Sequence, residues 1–371
     1  MGSMNEIESL RDLDAAVASG APLSGLRLQD LDLTRHEDRL LARTDLDGLI
    51  VLGGRLSPEL DEHLRLHGAL VFPTDPHAPV NPYRASLYQP HELYAGLGRY
   101  GYEQTPDARA YSWAREADHH RDVFVTLLRA IHDDSISDAL TEFVGDAPVV
   151  GVMGGHALSR DSEAYAGAAR LGHTLAAAGL VVATGGGPGA MEAANLGALC
   201  PTDAVVSEAL GRLAGIPSFR PSIADWAGLA LDVYDEIVRI LVPDRAVRSI
   251  GIPTWFYGHE PPNVFCNGIA KYFSNAIRED GLLARSTAGL VVLHGAAGTV
   301  QEIFQAITPL YYAEAERTLA PLVLVGVDHW SREVPVWNAI EALGRERGMG
   351  QVVHLVDTVD EAAELVLSSR G

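Results

Sequence analysis

One stretch of the chain, residues 288–305, joins an apolar segment to a helical pattern through small residues. The apolar run at residues 290–293 predicts a buried strand, and Thr299 and Glu302 follow at the start of the predicted helix. The first amides of such a helix point at a ligand with the positive end of the dipole behind them, which predicts an oxyanion site. A carboxylate would repel an anion, so Glu302 is expected to meet a sugar hydroxyl, a developing cation or a water molecule. The alternative is a tight turn whose glutamate only complements the helix dipole.

A second and a third glycine-rich turn follow predicted strands in the same part of the chain. Residues 149–153 lead into a Gly-Gly pair, and residues 180–183 lead into Thr-Gly-Gly-Gly-Pro-Gly and then a helix. Four glycines in five residues are costly in chain entropy unless a ligand or another backbone comes close. We therefore expect a second oxyanion cradle. The candidate ligand contacts in the three turns are Gly154, Gly155, Gly185, Gly186, Gly187, Gly189, Gly295, Gly298 and Thr299.

The elements around these turns alternate between strand and helix over residues 146–371. This order predicts an α/β fold, a doubly wound, Rossmann-like parallel sheet with helices on both faces. Ligands in such sheets bind outside the carboxyl ends of the strands, where the glycine turns and the polar pair His259 and Glu260 are expected. We predict a strand at residues 249–256 and a helix at 265–280 that carries Lys271 and Arg278. Residues 5–145 are predicted to form an N-terminal α/β extension, with a long helix at 108–132.

Composition excludes several classes of function. The net charge of -21 repels nucleic acid and anionic membranes, and no apolar run is long enough to span a bilayer. Cys200 and Cys266 provide neither a disulfide framework nor a metal-binding spacing. We expect a soluble, cytoplasmic protein with a small-molecule ligand, no nucleic-acid or membrane partner, and no metal.

The glycine turns differ from two common nucleotide motifs. The turn after residue 153 lacks the Gly-x-Gly-x-x-Gly spacing of dinucleotide-binding folds, and the second strand ends in glycines where an acidic residue for the ribose would be expected. No Gly-Lys-Ser/Thr sequence of a P-loop exists. Two cradles on separate strands and an acid one turn into a helix suit a mononucleotide held by its phosphate and ribose.

Both halves of this region match one known family at Tyr165, Ala166, Ala169, Leu171, Gly172, Leu175, Ala176 and Gly179 and in blocks 185–195 and 294–302. Over about residues 147–330 the chain thus resembles the lonely guy (LOG) family, long mislabelled as lysine decarboxylases. The signature of that family is Pro-Gly-Gly-x-Gly-Thr-x-x-Glu, and this chain departs from it at His294 and Ala296. We expect the turn to survive if Ala296 has a negative φ angle. The N-terminal extension and residues 254–261 are similar to the longer bacterial members, the nucleotide 5'-monophosphate nucleosidases.

The resemblance implies hydrolysis of a nucleoside 5'-monophosphate such as AMP, GMP or CMP to free base and ribose 5-phosphate, without a cofactor. It implies that Glu302 binds the ribose hydroxyls, stabilises the cationic transition state and helps to position water. Arg278 lies about where the catalytic arginine of the family falls. Glu192 and Asn195 resemble polar ligand contacts of the family, and His259 and Glu260 are candidates for contacting the base by position. The resemblance also implies a homodimer or a higher homo-oligomer.

Three other functions remain as alternatives. A non-catalytic nucleotide-binding or sensing protein of the same fold would be consistent with the two departures from the signature. A pyridoxal phosphate-dependent decarboxylase would need Lys271, the only lysine in the chain, as its Schiff base. A nicotinamide-dependent dehydrogenase is the third.

Overall fold

The computed structural model describes residues 5–116, 122–241, 246–256, 260–314 and 319–370. Two compact units divide the chain: residues 1–87 with 112–145, and residues 88–111 with 146–371. The segment 88–111, which we expected in the N-terminal extension, thus groups with the second unit. Backbone hydrogen bonds between Tyr88 and Ile269 and an ion pair between Asp107 and Lys271 give the physical reason.

The first unit contains a four-stranded parallel sheet, whose strands lie in chain order. Buried aliphatic residues, most of them leucines, come from all four strands and the first three helices and form one core. Ser9 and Ser57 cap the first and third helices by accepting a hydrogen bond from the backbone. Its strands are β1 Glu6–Ile7, β2 Arg27–Gln29, β3 Ile50–Leu52 and β4 Leu70–Phe72, and its early helices are α1 Leu10–Ser19, α2 Glu37–Leu41 and α3 Pro58–Leu66.

The predicted continuous helix at 108–132 is two helices in the structure. The first of them crosses the boundary between the units, and the second lies in the first unit. Asp122 caps the second by accepting hydrogen bonds from Phe124 and Val125 at 2.7 and 3.2 Å, which starts a new helix there. Residues 117–121 lie outside the described part of the chain. The helices between residues 88 and 145 are α4 Pro90–Leu93, α5 Leu97–Tyr100, α6 Pro106–Arg115 and α7 Val123–Val144.

The second unit is built on a seven-stranded sheet in which every adjacent pair is parallel, which confirms the predicted α/β class. The strands are β5 Val149–Met153, β6 Val181–Thr184, β7 Ser249–Gly251, β8 Gly268–Ile269, β9 Gly289–Val292, β10 Leu322–Val325 and β11 Val353–Val356. The helices are α8 Glu163–Ala177, α9 Ala190–Leu199, α10 Asp203–Leu213, α11 Ile223–Leu241, α12 Asn275–Arg285, α13 Ala297–Tyr311, α14 Trp337–Gly344, α15 Met349–Val352 and α16 Val359–Ser368.

The spatial order of the strands is β11-β10-β9-β5-β6-β7-β8. From β5 the chain proceeds outward through β6, β7 and β8, and then returns to the other side of β5 with β9. The crevice beyond β5 and its neighbours is therefore the topological switch point, where open α/β sheets bind their ligands. All three predicted glycine turns follow strands at this point.

Two predicted elements around β7 and β8 differ from the structure, the first at its end and the second in type. The strand predicted at 249–256 ends at Gly251, because Pro253 cannot donate to a neighbouring strand. The helix predicted at 265–280 is replaced by the short strand β8 and a later helix, α12. Backbone pairing with Tyr88 extends the chain at Ile269, and Ser274 caps α12. No described helix is long and apolar enough to cross a membrane.

Candidate active site

A cavity of about 660 Å³ lies at the switch point and is lined by residues from all three glycine turns. Its volume is in the range of pockets that hold small ligands. Ten of the predicted site residues line it: Gly154, Gly155, Gly185, Gly187, Glu260, Arg278, Gly295, Gly298, Thr299 and Glu302.

Glu302 and Arg278 form an ion pair in the wall of this cavity. Arg278 Nη1 donates to Glu302 Oε1 at 2.8 Å, and Arg278 Nε donates to the carbonyl of Ile252 at 2.8 Å. The side chains are 9% and 12% exposed, so the pair opens into the cavity and is not sealed in the core. Burial raises the pKa of Glu302, against the lowering effect of Arg278, and Glu279 and Glu260 raise it further. A carboxylate with a fixed orientation and a raised pKa is suited to stabilise a positive charge or to accept a proton.

The turn between β9 and α13 has the shape that an anion site requires. Ala296 has φ −118° and ψ −149°, which an L-residue adopts without left-handed strain, so the alanine is accommodated at the signature position. A Cβ at Gly295 would come within 2.1 Å of Thr299 Oγ1, whereas one at Gly298 would meet no atom within 4 Å. The first amides of α13 have no acceptor within the helix, as in any α-helix, and are available to an oxyanion.

The glycine turn after β6 is held by a buried network of polar side chains. Thr184 Oγ1 accepts from the amide of Gly186 at 2.9 Å, and Asn263 donates from its backbone to Gly186 at 2.8 Å and from its side chain to Gly187 at 3.1 Å. Gly186 and Gly189 have φ angles of 69° and 72°, which favour glycine. Both residues shape the turn, and they are not among the residues that line the cavity.

Glu192 and Asn195, predicted to contact the ligand, instead support the turns from below. Glu192 is fully buried and accepts two hydrogen bonds from Arg160, at 2.5 and 3.1 Å. Asn195 is fully buried, accepts from Thr184 and donates to Ser249 and Ile250. The prediction failed because α9 turns both side chains toward the core, where each meets a complementary polar group. His259 lies outside the described residues.

Two histidines that sequence reasoning missed line the cavity. His156 follows the Gly-Gly pair after β5, and its Nδ1 lies 3.0 Å from Glu260 Oε1. His329 lies beyond the carboxyl end of β10, with Nε2 3.1 Å from the Gly295 carbonyl, and its ring stacks on His294 with 4.4 Å between centroids. Both follow the ends of strands that flank the switch point, and this position was a signal available in the sequence. His294, which replaces the proline of the signature, has its pKa lowered by burial and by His329.

Lys271 and a second cavity are not part of the candidate active site. Lys271 is 1% exposed and donates to Asp107 at 2.6 Å, which leaves no space for a Schiff-base cofactor at its amine. The second cavity, about 630 Å³, lies at the amino ends of β9 and β10, and Asp280 is the charged residue among those described that line it. The Lys271–Asp107 pair is sealed in the core, and the described lining of the second cavity contains no ion pair, so neither location resembles the first cavity.

Comparisons with known proteins were made for sequence and for structure. Residues 147–216 match the SLOG cluster4 family. No curated protein matches the chain. Among solved structures, the chain is similar to the molybdenum cofactor binding protein from the phototrophic bacterium Rippkaea orientalis, with 18% identity, coverage of 61% of this chain and 99% of that chain, and a TM-score of 0.37. The match over residues 147–216 is thus to a family related to LOG-type Rossmann-like proteins, in agreement with the predicted resemblance.

Proposed function

We propose that the protein hydrolyses the N-glycosidic bond of nucleoside 5'-monophosphates, releasing free base and ribose 5-phosphate. The observation that carries the proposal is the Glu302–Arg278 pair, held at 2.8 Å in the wall of a cavity that also contains the N-terminus of α13. The reaction needs a carboxylate close to a developing cation, an anchor for a phosphate and a water molecule. Glu302, Arg278 and the first residues of α13 line one cavity, which supports the assignment of these parts to a single ligand.

The phosphate is assigned to the turn between β9 and α13. Thr299 contributes a hydroxyl, and the first amides of α13 contribute N–H donors whose dipoles favour negative charge. The 5'-phosphate is separated from the anomeric carbon C1' by most of the ribose. Glu302 lies one helical turn beyond Thr299 on the same helix, so a ribose bound beside the turn would place C1' toward the carboxylate.

The chemical step is assigned to Glu302 with Arg278. As the bond from C1' to the base breaks, positive charge develops on C1' and the ring oxygen, and the carboxylate stabilises that charge. Water then adds to C1' with loss of one proton, for which the carboxylate is an acceptor. Arg278 fixes the rotamer of Glu302 through Nη1 while its Nε is anchored on Ile252, so the carboxylate is held in place before the substrate arrives.

The test is product analysis with the purified full chain. AMP, GMP and CMP are each incubated with the protein, beside adenosine, guanosine and cytidine as controls without phosphate. Chromatography then measures the released base, and a reducing-sugar assay measures ribose 5-phosphate. We expect equal amounts of base and ribose 5-phosphate from at least one nucleotide, and kcat/KM lower by roughly 100-fold for its nucleoside, since the anchored phosphate contributes binding energy to the transition state.

A nucleotide that binds in calorimetry but is not cleaved would contradict hydrolysis and favour the sensing alternative. Such a protein would retain the pair between Glu302 and Arg278, and it would be consistent with the departure from the family signature at His294.

We also propose a homo-oligomer, a proposal that the family resemblance supports. Sedimentation velocity of the full chain would show a species of at least twice the monomer mass, and a single monomeric species would contradict it.

A further inference from the structure

The proposed chemistry leaves one requirement unassigned. When the bond to C1' breaks, its electron pair moves to the base, and a purine or pyrimidine anion is a poor leaving group unless a proton is delivered to it. Glu302 is needed as a carboxylate, and Arg278 is occupied by Glu302 and by the Ile252 carbonyl. A separate proton donor is therefore needed on the side of the cavity that faces the base.

His156 and Glu260 have the geometry of an oriented acid. His156 Nδ1 lies 3.0 Å from Glu260 Oε1, an ion-pair distance, so Nε2 is the ring nitrogen on the side away from that contact. Both residues line the cavity, and the His156 side chain is 53% exposed, so a ligand can reach it. Glu260 and Glu302 line the same cavity, and the charge of Glu260 helps to raise the pKa of Glu302.

The backbone that carries His156 is fixed from both sides. The amide of the preceding residue, Gly155, donates to the His294 carbonyl at 2.8 Å, and its carbonyl accepts from the Ala190 amide at 3.1 Å. A Cβ on Gly189 would come within 2.7 Å of the His156 carbonyl, so the two turns are in close contact. The segment between β5 and α8 is thereby held against both glycine turns, with His156 at their junction.

A buried ion pair holds the other end of the same segment. Arg160 is bound by Glu192 and also donates to the carbonyl of Trp226 at 3.2 Å. Residues 155 and 160 are therefore both anchored, and His156 lies between them. Glu192 therefore has a structural role, to hold Arg160, and this role explains its complete burial.

We propose that His156, oriented by Glu260, is the catalytic acid that protonates the leaving base, an inference that rests on the proposed function and deepens it. The proton on His156 Nε2 moves to a ring nitrogen of the base while the bond from C1' to the base breaks, and the electron pair of that bond goes to the base. Water supplies hydroxide to C1', and the proton it loses passes through Glu302 and solvent to restore His156. One water is consumed, and no oxidant or reductant is needed.

The test compares substrates that do and do not need an acid. N7-methylated guanine already carries a positive charge in the nucleotide, so 7-methylguanosine 5'-monophosphate loses its base without protonation, unlike GMP. AMP and nicotinamide mononucleotide form a second pair, since nicotinamide also leaves as a neutral base. The variant His156→Asn keeps a donor near Glu260 and removes Nε2. The exposed His77→Asn, in the first unit, is the matched control.

For His156→Asn we expect kcat for GMP and AMP to fall by roughly 100-fold, whereas kcat for the two charged nucleotides falls by less than about threefold. Glu260→Gln is expected to give a smaller loss with the same dependence on the leaving group, because it acts through the orientation of His156. Equal losses for both members of each pair would overturn the role of His156 and leave the proposed function in place. Release of base from none of the four nucleotides by the wild-type protein would overturn the proposed function and this inference with it.

Discussion

Two arginine–glutamate pairs in the second unit have similar chemistry and different surroundings. Arg160 and Glu192 are 1% and 0% exposed at the side chain, while Arg278 and Glu302 are 9% and 12% exposed and line the cavity. The first pair has all of its charge satisfied inside the protein, whereas the second retains a face that a ligand can reach. Residue type therefore does not distinguish the structural pair from the proposed catalytic pair, and access to the cavity does.

The largest effect expected from this comparison is on stability. Glu192→Gln removes the partner of a buried guanidinium and should lower the free energy of unfolding by about 3–5 kcal/mol. Urea denaturation measures the change. The control is Glu163→Gln, which breaks the exposed pair with Arg170 at 2.7 Å and should cost less than about 1 kcal/mol. Similar losses for the two variants would show that the buried pair has no special structural role.

The phosphate assignment predicts a selective effect on substrate binding. Thr299→Val keeps the shape of a buried side chain in the cavity wall and removes its hydroxyl. Since a hydrogen bond to a charged group contributes about 1.5–3 kcal/mol, KM for the nucleotide should rise by at least roughly 10-fold with little change in kcat. Steady-state kinetics measure both constants. Thr308→Val, on the same helix but bonded to the Phe304 carbonyl, should change neither.

The raised pKa of Glu302 predicts the acid side of the pH profile. The mechanism needs the carboxylate form, which is lost as pH falls through the pKa in the folded protein. Because burial raises that pKa above 4.5, activity should decline at a higher pH than an ordinary glutamate would give. Arg278 lowers the pKa, so Arg278→Gln should move the acid limb of its residual activity to still higher pH. If the acid limb did not move in Arg278→Gln, the group that titrates there would not be Glu302.

The smallest effect concerns the departure from the family signature. Ala296 has a φ of −118°, so glycine would relieve no strain there and would only increase the freedom of the unfolded chain. Ala296→Gly should lower the free energy of unfolding by about 0.4–1 kcal/mol and leave KM within about twofold. A large gain in activity would mean that the alanine impairs the phosphate turn.

Sequence reasoning predicted the parallel sheet of the second unit and the strands before its glycine turns. Apolar runs that end in glycine identify β5, β6 and β9, and the order of strands and helices identifies a parallel sheet, since periodicity and turn residues are local properties. It could not predict β8, which has two residues, pairs with β7 and bridges through Ile269 to Tyr88, far away in the chain. Short strands depend on tertiary partners that no local pattern records.

The same limit applies to the site. Glu302 and Arg278 were predicted from a helix position and a family resemblance, and the structure brings them together. Glu192 also follows a glycine turn, but its side chain direction depends on Arg160, which lies in a different loop. His156 was missed because its partner Glu260 is distant in sequence, and only the fold shows that they meet.

The most direct test of the account is the rate of ribose 5-phosphate formation by Glu302→Gln at saturating nucleotide. Glutamine preserves the size of the side chain and removes its charge. We predict that kcat falls by roughly 100- to 1,000-fold while nucleotide affinity measured by calorimetry changes little, and that the exposed control Glu364→Gln retains full activity. A Glu302→Gln variant as active as the wild type would contradict the central claim that this carboxylate stabilises the cation at C1'.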